Sequence, residues 1–218
     1  MLTTQLLNTQ VKLEHVEEPF TLHLAQGMLS DEQVRTLYAT APLSQAQPIA
    51  RTDPDHEKQY KMNLLYLLYD GQPSEAAAGL APAWSALLDD LRSEGFMTWL
   101  EAGTNQKLRD LSFDIGVYTH VDGDFISVHK DKPNKALTAI LYLNEDWPAG
   151  AGGEYEVRPS GDPRAEPLRR IPPRGGQFLA FPPTDRSWHA VSRVDTGGRV
   201  TRLTVQLEFW FHRDDRRH

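Results

Sequence analysis

The chain has 218 residues, a formal charge of −7 and no cysteine. Its length suits one domain with a sizeable core, and the acidic balance argues against a nucleic-acid surface. Without cysteine, disulfides, thiolate metal sites and thiol nucleophiles are excluded, so any metal must be held by histidine and carboxylate.

The N-terminal residues Met1–Gln5 lack the basic and apolar regions of a signal peptide, and no apolar run is long enough to span a membrane. A cytoplasmic protein with no membrane partner is therefore expected. Val11–Leu13 reads as an edge strand and Phe20–Leu24 as a short alternating strand. Ser30 reads as an N-cap with Gln33 three residues on, predicting a helix over Asp31–Ala39 that buries Val34, Leu37 and Tyr38. Residues 41–60, rich in Pro, Gln, Asp and Thr, read as a long surface loop. Met62–Tyr69 is an apolar run that periodicity alone leaves open between strand and helix. Pro73-Ser74-Glu75 opens a helical region. It restarts at Pro82 and carries Trp84, Leu87, Leu88, Leu91, Phe96 and Trp99 at amphipathic spacing, with Gly95 and Gly103 as punctuation.

From Leu108 the period changes to two. Alternation predicts strands over 111–118, 125–131, 137–143, 154–158, 177–181, 189–194 and 200–211. Strands joined by Gly/Pro-rich turns and preceded by helices give an α+β, mainly β fold: a sandwich or barrel with helices packed on one sheet. One domain over 1–218 is expected. Residues 1–107 would supply helical support and first strands, and 108–211 the β core.

Within that core, Ser127, His129 and Asp131 share one face of a strand. An imidazole and a carboxylate two residues apart can take neighbouring positions on a divalent metal. A second imidazole from another strand, His189, would complete a facial triad with open positions, the ligand set of non-haem Fe(II) oxygenases. The rival copy His120-Val121-Asp122 runs at once into Gly123 and Asp124, so it reads as a turn over the pocket mouth.

Residues 113–211 also resemble the 2-oxoglutarate- and Fe(II)-dependent oxygenases, in their prolyl-hydroxylase branch. The matching pieces, in order, are Tyr118 with Gly123, His129-Lys130-Asp131, Tyr142-Leu143-Asn144-Glu145-Asp146-Trp147, Gly152-Gly153, Phe181-Pro182, His189-Ala190-Val191, and an Arg with Thr two residues on. The resemblance implies a double-stranded β-helix (jelly-roll, cupin-like). It also implies Fe(II) on His129, Asp131 and His189, 2-oxoglutarate and O2 as cosubstrates, and ascorbate as reductant. The reaction implied is hydroxylation of an unactivated C–H bond, with succinate and CO2 as coproducts. Asp131 stands against halogenation, for which the resembling enzymes place a small residue there.

The distal carboxylate of 2-oxoglutarate calls for a cation, ideally Arg. Family spacing favours Arg199. Strand geometry favours Arg202: if 195–198 is a hairpin loop, Val191 pairs with Arg202, which then shares the His189 face. The pattern agrees, with Leu203, Val205, Leu207 and Phe209 apolar and Arg202, Thr204, Gln206 and Glu208 polar. By resemblance Tyr142 donates its hydroxyl to the same carboxylate, while Ile140, Tyr155 and Val191 line the flank. Tyr118 and Asp114 share a face toward cosubstrate or substrate. Glu208 would face a cationic group of the substrate, or Lys135 or Arg186 at the mouth. The substrate expected is a prolyl or other residue of a protein or peptide, with a free amino acid or small metabolite as the alternative. A non-catalytic binding relative of the same fold is the reading from a different class.

Overall fold

The computed structural model describes residues 5–211. Its strands are β1 (Glu14–Val16), β2 (Leu22–Ala25), β3 (Gln47–Arg51), β4 (Tyr60–Tyr69), β5 (Gln72–Pro73), β6 (Ser112–His120), β7 (Phe125–His129), β8 (Lys135–Tyr142), β9 (Tyr155–Val157), β10 (Arg169–Ile171), β11 (Phe178–Phe181), β12 (His189–Val191) and β13 (Arg202–Trp210). The helices are α1 (Asp31–Ala39), α2 (Pro82–Leu91) and α3 (Glu94–Thr104). The strands form one curled antiparallel sheet in the order β1-β2-β11-β8-β13-β6-β4-β7-β12-β9-β10, with β3 and β5 both paired to β4. This is the mainly β, double-stranded β-helix architecture with three supporting helices. Among the described residues no helix is long and apolar enough to cross a membrane.

Alternation on β13 decides which side each layer takes. Leu203, Val205, Leu207 and Phe209 join Trp84, Leu87, Leu91, Phe96 and Leu100 in one buried cluster, so the helices cover that face. The opposite face looks into the curl. There Ile140, Tyr142, Tyr155, Val157 and Phe181 form a second cluster, and Tyr60, Met62, Leu64, Tyr118, Ile126 and Val191 a third. At ~25 cal/mol per Å2 of apolar burial, the helix-covered face is the main source of cohesion, and the inner face is left partly open for polar groups.

Helix α1 starts where its cap requires. Ser30 Oγ accepts from the Gln33 N–H at 3.3 Å, and Gln33 Oε1 accepts from the Ser30 N–H at 2.7 Å, a complete capping box. The apolar run at 62–69 is strand, inside β4, because β6 on one side and β3 on the other offer it backbone partners. Ser93, not Gly95, divides the second helical region: its Oγ accepts from the Phe96 N–H and starts α3. Gly103 lies inside α3, where a Cβ would run into Leu13 Cδ1.

Four expectations change. Residues 41–60 are not one loop, since β3 pairs with β4 along Gln47–Arg51 at the sheet's side, where Pro48 costs no central hydrogen bond. The first edge strand is Glu14–Val16, not Val11–Leu13. The predicted strand 125–131 stops at His129, and Asp131 lies just beyond it. Finally, β12 ends at Val191 and is no hairpin partner of β13: Val191 pairs with Ile126 and Tyr155, and Arg202 with His120.

Candidate active site

His129 and His189 are direct cross-strand partners on β7 and β12. Opposite residues of an antiparallel pair share a face, so the rings lie side by side with centroids 4.2 Å apart. Asp131, on the two-residue extension after β7, turns toward them with Oδ1 3.9 Å from His129 Nε2. One ligand atom from each of His129, Asp131 and His189 lies within 4.8 Å of the others. Both imidazoles are buried, and the Asp131 side chain is 7% exposed.

The tautomers are set by backbone. His129 Nδ1 lies 2.9 Å from the Ser127 carbonyl and His189 Nδ1 2.9 Å from the Ser187 carbonyl. A carbonyl only accepts, so Nδ1 carries the proton and each Nε2 presents a lone pair. Burial, with Lys58 and His189 adding to it, holds His129 well below the ordinary imidazole value; burial likewise lowers His189. For Asp131, burial alone would raise the carboxyl, but Lys135, the histidines and Lys58 outweigh it and hold the group well below the usual range. Two neutral imidazoles and an ionised carboxylate with converging lone pairs are a donor set that fits a divalent first-row metal such as Fe(II).

Asp131 is itself held on two sides. Thr138 Oγ1 donates to Oδ2 at 2.6 Å, and Lys135 Nζ stands 3.3 Å from Oδ1. The same ammonium reaches Glu208 Oε1 at 2.9 Å and lies 4.9 Å from the centre of the Trp210 ring. Of the partners considered for Glu208, Lys135 is the one that meets it. Arg186 is exposed at the surface, 3.9 Å from Glu18. Asp114 is occupied, accepting from the Asp70 N–H at 2.6 Å and from Trp210 Nε1 at 3.1 Å.

Away from the imidazoles the inner face ends in a polar pocket. Arg202 is fully buried on β13; its Nε donates to the Gly153 carbonyl at 2.7 Å, while Nη1 and Nη2 have no partner. Gly153 has φ +68°, and a Cβ there would press on Trp147 and on Arg202 Cδ, so this close approach requires glycine. The Tyr142 and Thr204 hydroxyls, opposite each other across β8 and β13, are buried there, Thr204 without a partner and Tyr142 beside the Arg202 guanidinium. Orphaned buried donors cost ~1–3 kcal/mol each. The two terminal guanidinium nitrogens with the two hydroxyls beside them fit a carboxylate such as the distal one of 2-oxoglutarate. Tyr142, Tyr155 and Phe181 run from this pocket to the metal end, where Tyr155 stacks on His189 with centroids 5.4 Å apart. Ile140 belongs to this wall, Val191 and Tyr118 to the facing one.

Arg199 lies elsewhere, exposed in the 192–201 connection, with Nε donating to the Thr196 carbonyl. His120 corrects the reading of 120–122 as a mouth loop. It is the last residue of β6, fully buried opposite Arg202, with neither ring nitrogen partnered. Only Val121–Gly123 turn outward, and Asp122 accepts from the Thr196 N–H and hydroxyl. Thr138, His120 and Lys58 were missed. Thr138 is the one polar side chain of β8 between Lys135 and Tyr142. Lys58 falls two residues before Tyr60, where counting back along β4 would have placed it inward.

The sequence model of the 2OG-Fe(II) oxygenase superfamily matches residues 115–212. No curated protein sequence matches the chain. The fold is similar to that of a Pseudomonas putida prolyl 4-hydroxylase (TM-score 0.58, 21% identity, 88% of this chain and 93% of that one). It is also similar to a prolyl 4-hydroxylase of Phytophthora capsici (TM-score 0.60, 18% identity, 87% and 58%). A third likeness is to a Trichoplax adhaerens prolyl hydroxylase solved with a hypoxia inducible factor peptide fragment (TM-score 0.57, 16% identity, 87% and 83%). The residues that match the 2OG-Fe(II) oxygenase superfamily span the strands that carry both imidazoles and Arg202, and the fold around them is similar to that of prolyl hydroxylases.

Proposed function

We propose that the protein hydroxylates an unactivated C–H bond, with Fe(II) held by His129, Asp131 and His189. The observation that carries this is the convergence of those three ligand atoms within 4.8 Å, both imidazoles presenting Nε2. Arg202 and the hydroxyls of Tyr142 and Thr204 would hold the distal carboxylate of 2-oxoglutarate, with Ile140, Val191 and Tyr118 lining its flanks. Bound iron would supply the oxidative chemistry, coupling conversion of 2-oxoglutarate and O2 to succinate and CO2 with transfer of one oxygen to the substrate. The protein's part is orientation and exclusion of water. Thr138 and Lys135 fix the Asp131 carboxylate, and the aromatic wall of Tyr155 and Phe181 dries one side of the site. Ascorbate belongs to this reading as the reductant that restores iron(II).

The likeness to prolyl hydroxylases, one of them solved with a peptide, supports a prolyl or other residue of a protein or peptide as substrate. A free amino acid or small metabolite is the second reading, favoured by charged groups lining the substrate side of the site. The test is succinate release from 2-oxoglutarate under Fe(II) and ascorbate without added substrate. Release in the parent and its loss in His129→Ala is the expected result. A His129→Ala protein that decarboxylates as fast as the parent would sink the reading.

A further inference from the structure

Two opposite charges face the same end of the cavity, and the oxygenase reading leaves both unused. Glu208 is on the inner face of β13, 6% exposed. Lys135 takes its Oε1, while Oε2 is buried with no partner. Across the cavity stands Lys58. Along β4, Tyr60, Met62 and Leu64 point inward, and Lys58, two residues before Tyr60, continues that face. Its segment is tied to the metal-bearing strand. The Gln59 N–H donates to Ser127 Oγ at 2.8 Å, and the Gln59 carbonyl accepts from the Ser127 N–H at 2.8 Å. Among the described residues the Lys58 ammonium has no ion pair. It lies 5.9 Å from the Tyr60 ring centre and within electrostatic range of Asp131, Lys135, Glu208 and both histidines.

A buried carboxylate oxygen lacking a donor is costly unless a ligand completes it, and the half-buried Lys58 ammonium, without an ion pair, is open to an acceptor. One ligand completes both if it carries an N–H donor and a carboxylate a few bonds apart. We propose that the substrate is a free amino acid, held by its carboxylate on Lys58 and by its amino or imino nitrogen on Glu208 Oε2. This deepens the second reading above and rests on the oxygenase assignment. An internal residue of a peptide has neither charge, so the pair discriminates against it. Lys135 contributes by holding Oε1, which fixes the Glu208 carboxylate and leaves one oxygen for the ligand. Because Lys135 also touches Asp131, a nitrogen on Oε2 is held one ion pair away from the metal ligands.

The test measures binding by calorimetry on protein loaded with Mn(II), a redox-silent stand-in, and 2-oxoglutarate. The probes are the standard free amino acids, and for each binder its carboxamide and its N-acetyl derivative. At least one free amino acid binds, and either cap weakens it by about tenfold or more, about 1.4 kcal/mol. Lys58→Met abolishes the penalty for the carboxamide, Glu208→Gln abolishes the penalty for N-acetylation, and Lys58→Arg restores the first. The proposal is overturned if no free amino acid binds, if capped and free forms bind alike in the parent, or if Lys58→Met keeps the parent's preference. It is also overturned if a peptide blocked at both ends binds more tightly than any free amino acid. Should Glu208→Gln fail to fold, as judged by its melting temperature, the Lys58 arm decides alone. Substrate-free succinate release separates the two levels. If it persists while the binding pattern fails, only the substrate assignment falls; if it is absent, the oxygenase reading falls with it.

Discussion

His120 and Arg202 stand opposite each other on the β6–β13 ladder, both fully buried, with no partner on either imidazole nitrogen or on either terminal guanidinium nitrogen. Cross-strand partners share a face, so the imidazole lies beside the guanidinium on the inner face of the sheet. Burial, helped by the Arg202 charge, holds His120 well below its ordinary value, and it is neutral at pH 7. A neutral ring offers one donor and one acceptor beside the cation, the chemistry of a carboxylate pocket rather than of a surface turn.

That neutrality predicts a pH dependence of stability. In the unfolded chain the imidazole takes a proton near pH 6.5; in the folded chain it does so only well below that. Between those values the unfolded state binds more protons, so stability falls as pH drops below 6.5. The slope approaches ~1.4 kcal/mol per pH unit for one such histidine. Urea midpoints of metal-free parent and His120→Gln, compared from pH 7 to 5, check this. The variant should lose less stability over that range, and equal slopes would refute the assignment.

Arg202 and Arg199 separate cleanly. Arg202→Met removes the guanidinium of the polar pocket, and 2-oxoglutarate affinity should fall about 10- to 100-fold, the worth of charge-assisted hydrogen bonds at ~1.5–3 kcal/mol. Arg199→Ala, whose side chain caps a loop carbonyl at the surface, should change it less than about twofold. Calorimetry with Mn(II) present reads both. The reverse ranking would move the clamp to Arg199.

Lys135 sits buried between two carboxylates, 3.3 Å from Asp131 and 2.9 Å from Glu208. Lys135→Met leaves both negative charges uncompensated and should destabilise the metal-free protein by ~3–5 kcal/mol. Adding Glu208→Gln to it should recover part of the loss, since one of the two stranded charges is then gone. Denaturant melts of the single and double variants measure the difference. A single variant as stable as the parent contradicts the buried-pair description.

Thr138 offers a finer probe, because its hydroxyl meets Asp131 Oδ2 at 2.6 Å and nothing else in the triad. Thr138→Val keeps the shape and removes the bond, and Mn(II) affinity should weaken by about 10- to 100-fold, the usual effect of losing such a support. Metal titration followed by Mn(II) EPR gives the constant. An unchanged constant would mean that Lys135 alone orients the carboxylate.

Much of this arrangement is written locally. The capping box at Ser30–Gln33 starts α1 where the motif says. Alternation alone sorts Leu203, Val205, Leu207 and Phe209 to the helix side and Arg202, Thr204 and Glu208 to the cavity side. The two-residue spacing of His129 and Asp131 brings their ligand atoms together even though the strand ends between them. Periodicity carries this much because side-chain direction depends only on the residue's own backbone.

Which strands become neighbours is another matter. His189 meets His129 because β12 pairs with β7, a choice made across some sixty residues of sequence. The expected hairpin with β13 does not form, and Arg202 instead gains His120 as its partner. Lys58 and β3 lay inside a stretch whose Pro-, Gln- and Asp-rich composition read as loop, and pairing with β4 and β7 overrode it. Closing a longer loop costs little more than closing a short one, so the lowest free energy goes to the pairing that buries the most apolar surface. Faces were therefore determined by the sequence residue by residue, whereas partners, and with them the site's second imidazole, its histidine beside Arg202 and its unpaired lysine, were decided by the tertiary fold.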